Sequence, residues 1–292
     1  GNTGSVIAEA LLAKGEKVRV IGRSADKLQR FVEKGGEAFV GDVSDAAAMT
    51  RVFSSATSVY AMIPPNFTSA DPRADQAKTA EALGSALERA GVARAVILSS
   101  IGADLAEGAG PVSGLHSFEE RIKKVSKLNA LILRPGLFME NLLAYIGLIK
   151  TMGMTAGTLK GDLPIAMIAT RDIGERAAEA LVGGEFTGIT TLELLGPRDV
   201  SMNEAAKILG QAIGKPGLSY SRMPGMIVKG AMTQMGFSSQ SADALLEMDE
   251  AINDGRMRPL EQRSARTETP TTLETFAAEV FAPAFQGRAA RA

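Results

Sequence analysis

The chain has no cysteine, no tryptophan and one histidine, His116. Without cysteine there can be no disulfide framework, no cysteine nucleophile and no thiolate metal site. A single histidine excludes a multi-histidine zinc centre, so no metal is expected. Neither sign of charge dominates. A net charge of −1 over 292 residues leaves no electrostatic footprint for nucleic acid or an anionic membrane. Long apolar runs are missing too. The most apolar stretch, residues 128–154, is broken by Arg134, Pro135, Glu140 and Lys150, which is incompatible with a membrane span. What remains is 45% hydrophobic and 22% charged, the balance of a soluble globular protein with a full core. Its length suits one large domain or two modest ones. No secretory leader is read, so a cytoplasmic location is expected.

The opening residues are the first positive signal. Gly1-Asn2-Thr3-Gly4 runs into the apolar-periodic segment from Val6 to Ala13. Glycines three apart at a helix mouth suit a turn that aims free N–H groups at a diphosphate. A dinucleotide-binding unit places a strand and one more glycine before such a turn. The chain therefore reads as starting inside a Gly-x-x-Gly-x-x-Gly loop. About ten residues, one strand plus the start of the loop, are expected ahead of it. Without them the sheet should show a gap or borrow a strand.

Beyond this point helices and short β runs alternate up to about residue 135. Strands are expected near 17–21, 36–40, 58–63, 95–99 and 130–133, with helices between them. This pattern indicates an α/β fold, a parallel sheet with helices on both faces. Val96-Ile97-Leu98 fits a strand buried on both sides. The second half is less regular. Strands are expected at 165–169, 191–195 and 218–222, and a mobile loop at 151–164. Capping boxes at Ser201 and Thr271 open helices. Residues 223–257 carry no recognisable motif, only methionines at near-helical spacing.

In such sheets ligands sit outside the carboxyl ends of the strands. The second expected strand end carries Arg23-Ser24, with Lys27 one turn on, where NAD-selective folds place an acid. These three groups suit a dianionic 2′-phosphate; the plain alternative is a solvated basic turn. Asp42 and Val43 end the next strand. The Asp42 carboxylate suits either an adenine amino group or the cap of the following helix, a role open to Ser44 as well. Met62-Ile63-Pro64 and Ser99 end the next two strands and should line the nicotinamide side. Acid catalysis by a Tyr-x-x-x-Lys pair is absent. Tyr60, Tyr145 and Tyr220 are followed four residues later by Pro64, Ile149 and Pro224.

Several motifs then align at once: Gly1-Asn2-Thr3-Gly4, Arg23, Gly41-Asp42, His116-Ser117-Phe118-Glu119-Glu120, Leu131 to Asn141 with its core Arg134-Pro135-Gly136-Leu137-Phe138-Met139-Glu140-Asn141, Asp172-Ile173-Gly174 and Gly196-Pro197. Together they resemble the NmrA-like branch of atypical short-chain dehydrogenases, over nearly the whole chain. That branch includes NAD(P)H-dependent quinone, azo-dye and triphenylmethane reductases as well as redox-sensing regulators. The resemblance implies a Rossmann-type doubly wound sheet at 1–135, with 165–200 returning to it. A smaller, mostly helical part within 136–292 would cover the substrate. It implies NADP(H) as cofactor in preference to NAD(H), with Pro135, Gly136 and Phe138 at the nicotinamide. Phe138, Asn141 and Met154 would face the acceptor, with Met139 and Met152 as further slot walls. His116 stands where some relatives carry a lysine. It is read either as a structural residue or as a proton donor oriented by Glu120. The expected partner is a small-molecule electron acceptor, with monomer and homodimer both open. The competing function is a non-catalytic NADP-sensing regulator.

Overall fold

The computed structural model describes residues 1–184 and 186–288. Its first half runs α1 (Asn2–Ala13), β1 (Arg19–Gly22), α2 (Ala25–Val32), β2 (Glu37–Val40), α3 (Ala46–Phe53), β3 (Ser58–Ala61), α4 (Pro72–Arg89), β4 (Arg94–Leu98), α5 (Pro111–Lys123) and β5 (Asn129–Pro135). The chain then forms β6 (Leu137–Phe138), a 3-10 turn at Met139–Ala144, α6 (Tyr145–Met152), β7 (Thr155–Gly157), β8 (Ile165–Ile168), α7 (Thr170–Gly183) and β9 (Ile189–Leu194). It finishes with β10 (Asp199–Val200), α8 (Met202–Ala212), β11 (Tyr220–Arg222), α9 (Gly225–Gln234), α10 (Ser239–Asn253) and a helical segment from Leu273 to Phe285.

Four parallel strands in the order β3-β4-β5-β9 form the main sheet. β1 and β2 form a separate parallel pair, and no strand bonds β1 to β3 among the described residues. Side-chain alternation sorts the core onto two faces. Ala95, Ile97, Ala130 and Ile132 pack against Met49, Leu83, Leu87, Phe118 and Ile122 from α3, α4 and α5. Val96, Leu98, Leu131 and Leu133 pack on the opposite face against Ile7 of α1 and Ile173, Ala177 and Leu181 of α7. Each large aliphatic side chain so buried contributes about 1.5–3 kcal/mol before the entropy of ordering is subtracted. The sheet is therefore doubly wound, as the apolar runs require.

The remainder builds a second core. Met139, Leu142, Met202, Leu209, Phe276 and Phe281 meet there, outside the main sheet. Small β ladders flank it: β10-β8-β6 and β11-β7. Segment 165–168 was expected to be a strand and is one, but it pairs with β6 and β10. The stretch expected as a mobile loop holds β7, which is bonded in parallel to β11. The stretch without a motif is almost wholly α9 and α10. Among the described residues no helix is long and apolar enough to cross a membrane.

α1 corrects the local reading of the chain start. Asn2, Thr3 and Gly4 are already helical. Thr3 is buried, and its hydroxyl lies 2.8 Å from the Tyr60 phenol oxygen. α1 lies close against α7 because position 174 is glycine. A Cβ built there would approach the Val6 Cβ to 2.6 Å. Gly174→Val is expected to wedge the two helices apart and cost about 1–3 kcal/mol, read as a lower urea midpoint with an unchanged slope.

Candidate active site

The carboxyl ends of the parallel strands open into one elongated cleft of about 660 Å³, within the usual range for a small-molecule or cofactor site. Arg23 follows β1, and Asp42, Val43 and Ser44 follow β2. Met62, Ile63 and Pro64 follow β3, and Ser99 to Ile101 follow β4. Pro135, Gly136 and Phe138, then Asn141, close this wall. All eleven of these sequence-predicted residues (Arg23, Asp42, Val43, Met62, Ile63, Pro64, Ser99, Pro135, Gly136, Phe138 and Asn141) line the same cleft.

Backbone bonding holds this wall in place. The Ser99 N–H donates to the Leu133 carbonyl at 2.8 Å, and that of Ile101 to Pro135 at 3.1 Å. β4 and β5 thus stay paired beyond the ends of their ladders. At Gly136 the chain leaves the main sheet and passes β8; a Cβ there would meet the Ala166 carbonyl oxygen at 2.5 Å. Below this turn lies a buried ion pair. Arg134 grips Glu119 through Nε–Oε1 at 2.9 Å and Nη2–Oε2 at 2.6 Å, and the Ser99 hydroxyl donates to Oε1 at 2.5 Å. Glu119 is 1% exposed. Its hydrogen bond holds the Arg134 guanidinium above its ordinary range, so the arginine stays charged. The sequence supplied both residues but not their pairing, because that depends on α5 crossing β5.

Neither Asp42 nor Ser44 caps α3. The cap of α3 is Asp45, whose carboxylate accepts from the Ala48 N–H at 2.9 Å. Asp42 accepts from the Ser44 N–H at 2.8 Å. Bonds from the Ser44 backbone and hydroxyl hold it below the usual carboxylate range, and the positive charges of Arg23 and Lys78 add to this. Arg23 and Lys78 both line the cleft and make no ion pair among the described residues.

The opposite wall comes from the second half of the chain. α10 presents Ser241, Ala244, Leu245, Met248 and Ile252 to the cleft, a spacing of three and four that defines one helical face. Its other face is anchored by polar contacts. Asp249 accepts from the Thr158 hydroxyl. Asn253 accepts from the Lys160 N–H at 2.7 Å and donates to the Thr158 carbonyl at 3.0 Å. At the α9–α10 corner, Phe237 stacks on Phe67 with ring centroids 4.8 Å apart, and the Ser238 N–H donates to the Phe67 carbonyl at 2.9 Å. These residues were missed in the sequence, where methionine spacing was the one available hint.

Other expected residues lie elsewhere. Gly1, Asn2, Thr3 and Gly4, together with Ser24 and Lys27, do not line the cleft. Lys78 of α4 lines the cleft where Lys27 does not. Met154 lies outside the cleft, and Met152 is 65% exposed at the end of α6. His116 lies outside the cleft too. It sits on the side of α5 that faces α4, beside Ala77 and Ala80, and its Nδ1–H donates to the Ala103 carbonyl at 2.9 Å. Glu120 does not orient it but pairs with Lys123 at 2.7 Å. None of the three tyrosines lines the cleft. The Tyr60 and Tyr145 phenols are buried and pushed up in pKa by desolvation. No cluster of metal-ligating side chains occurs among the described residues.

The sequence pattern of the NmrA-like family matches residues 1–277. The chain belongs to that family. An NAD(P)H azoreductase of Xenophilus azovorans is 26% identical over 248 residues, covering 85% of this chain and 83% of that protein. Among solved structures, an NADPH-dependent quinone oxidoreductase of Escherichia coli, complexed with NADPH, superposes with a TM-score of 0.78 at 22% identity, covering 96% and 98% of the two chains. NmrA, a negative transcriptional regulator in complex with NAD, gives a TM-score of 0.69 at 14% identity, covering 98% and 94%. At these identities the structural likenesses establish the fold.

Two outcomes follow from the polar anchors. Removing one partner of the Glu119–Arg134 pair strands a buried charge. Glu119→Ala should therefore lose about 3–5 kcal/mol, measured by chemical denaturation. Asp249 behaves differently, since burial pushes its carboxyl up to about 6 from 3.8. Its native pKa is raised, so the stability linked to its proton is complete below about pH 4 and is lost as pH rises through 6. Asp249→Asn keeps an acceptor without the charge. It should gain on the wild type between pH 4 and 6, reaching about 2–3 kcal/mol above pH 7, in a pH series of urea melts.

Proposed function

We propose that this protein is an NADPH-dependent oxidoreductase that passes hydride to a flat, electron-poor acceptor of the quinone or azo class. One observation carries this reading: the strand ends from β1 to β5 converge on a single apolar-walled cleft, with Arg23, Lys78 and Asp42 gathered at one end. Two cations without protein ion-pair partners suit a dianionic 2′-phosphate. They replace the Arg23, Ser24 and Lys27 set expected from the sequence. Asp42, held ionised, suits the adenine amino group. Pro135 to Phe138 and the β4 end then lie at the nicotinamide. The relatives' activities agree with this assignment.

The bound cofactor would supply the hydride. The chain supplies orientation and a dry slot. Phe138 and Leu137 line one wall and Leu245 and Met248 of α10 the other, and a flat acceptor bound between them would displace water there. For a quinone the balance is simple. NADPH and one solvent proton convert it to the hydroquinone and leave NADP⁺. No tyrosine or histidine lines the cleft among the described residues, so the proton comes from water entering at the cleft mouth.

That same lack of a tyrosine or histidine in the cleft lining supports the second reading, a cofactor sensor that binds NADP(H) without turnover. Steady-state oxidation of NADPH with a naphthoquinone and an azo dye separates the two. Turnover above the uncatalysed rate is expected; tight NADPH binding with no turnover on either acceptor would leave the sensor. Cofactor choice has its own check. Arg23→Ala and Lys78→Ala should each weaken NADPH binding about 10- to 100-fold and leave NADH affinity nearly unchanged, in fluorescence titrations.

A further inference from the structure

Four arginines follow α10 in the segment 256–266: Arg256, Arg258, Arg263 and Arg266. Three of them are engaged within the fold. Arg256 binds the Asp254 carboxylate and the Gly108 carbonyl. Arg263 pairs with Asp199 and donates to the Gly196 carbonyl. Arg266 donates to the Thr191 carbonyl. Arg258 has no hydrogen bond or ion pair among the described residues, and it is the one of the four that lines the cleft.

Its backbone is not free to wander. The Met257 N–H donates to the Ala251 carbonyl at 2.9 Å. The Met257 side chain packs with Ile101, Ala166 and Leu195, tight against Gly102. On the other side Pro259 restricts the backbone of Arg258 to extended conformations. The Leu260 N–H is then held by the buried Glu193 carboxylate at 2.9 Å. Arg258, an exposed residue, is thus carried on a strapped segment at the cleft wall, and its guanidinium has no protein acceptor among the described residues.

Its surroundings indicate what it can take. Met257, Ile252 and Leu163 beside it are apolar. Asp199, opposite Ala166 on the β10–β8 ladder, is already engaged by Arg263. Arg23 and Lys78 belong to the Asp42 end. An arginine fork beside an apolar slot binds a planar or tetrahedral oxyanion through paired charge-assisted bonds.

We propose that Arg258 selects acceptors carrying an oxyanion (carboxylate, sulfonate or phosphate ester) attached to the flat electron-poor ring system. This rests on the oxidoreductase reading for its catalytic consequence, not for the binding itself. The reaction is the one balanced above; Arg258 holds the anionic substituent while hydride and a solvent proton go to the ring system.

Two measurements test it. In the first, 1,4-naphthoquinone, its 2-sulfonate and its 2-carboxylate are compared at saturating NADPH, after subtraction of the uncatalysed rate. The quantity read is the ratio of kcat/KM for each anionic acceptor to that of the neutral parent. In Arg258→Ala this ratio should fall about 10- to 100-fold, chiefly through KM, and Arg258→Lys should recover part of it. A purely structural role lowers all three acceptors together, leaves the ratio unchanged and overturns the proposal. The sulfonate and carboxylate arms show which oxyanion is preferred. The second measurement needs no turnover: calorimetric binding of 2-naphthalenesulfonate and of 2-naphthol in the presence of NADP⁺. Preference for the sulfonate in the wild type, lost in Arg258→Ala, supports the role of Arg258 even if no acceptor is reduced. Equal binding of the two by wild type and variant defeats it, whatever the kinetics.

Discussion

The passage at Gly136 is the constraint on which the site depends. β5 is the one strand of the main sheet that continues, within two residues, into the small ladder of the second half. It does so by running its backbone directly against Ala166, where a Cβ would sit 2.5 Å from a carbonyl oxygen. Glycine is required there by close approach rather than by an unusual φ. Because the gap is closed at the backbone level, the cleft wall of Pro135 to Phe138 and the β8 wall are set by one turn. Arg134, the last residue before that turn's proline, is locked to Glu119, and Glu119 in turn holds Ser99. Three chain segments that meet at the cleft are therefore tied to one buried carboxylate.

The two walls differ in how they are held. The strand-end wall rests on parallel ladders buried on both faces, the most stable part of such folds. The α10 wall is held by a stacked pair of phenylalanines at one end and by buried polar contacts from Asp249 and Asn253 at the other. Apolar residues face the cleft, and polar anchors face away from it. This division suits a cover that shapes an acceptor slot while its own position depends on a few specific bonds. The buried Asp249 is the most pH-sensitive of them.

Charge is distributed along the cleft with a similar logic. The chain as a whole is nearly neutral, and three cations (Arg23, Lys78 and Arg258) line the cleft together with three carboxylates (Asp42, Asp75 and Asp199). Two of the cations gather near Asp42, where a cofactor phosphate would be held. The third, Arg258, is placed by its neighbours rather than by a partner of its own. In a family whose members differ in acceptor, a substituent-binding group on the cap can vary without disturbing the cofactor end. The chemistry of hydride transfer asks little of the protein beyond orientation and exclusion of water.

Much of this was legible in the amino-acid sequence, for identifiable reasons. Val96-Ile97-Leu98 and Leu131-Ile132-Leu133 could only be strands buried on both faces, and their spacing by helices required a parallel doubly wound sheet. The strand-end rule then placed Arg23, Asp42, Met62, Ser99 and Pro135 on one cleft, because topology alone brings strand ends together. What tertiary structure decided lies wherever a residue's role depends on an element distant in sequence. Lys78 on α4 lines the cleft and Lys27 on α2 does not, which only the packing of the helices decides. His116 faces α4 because Phe118, Glu119 and Ile122 take the buried face of α5, and a lone histidine shows no periodicity that would reveal this. Arg258 resembled every other arginine of its segment until the fold gave partners to the other three and left it facing the cleft. Local pattern specifies which face of an element is apolar. Only packing specifies which polar group is left without a partner, and here that group lies on the residue that lines the site.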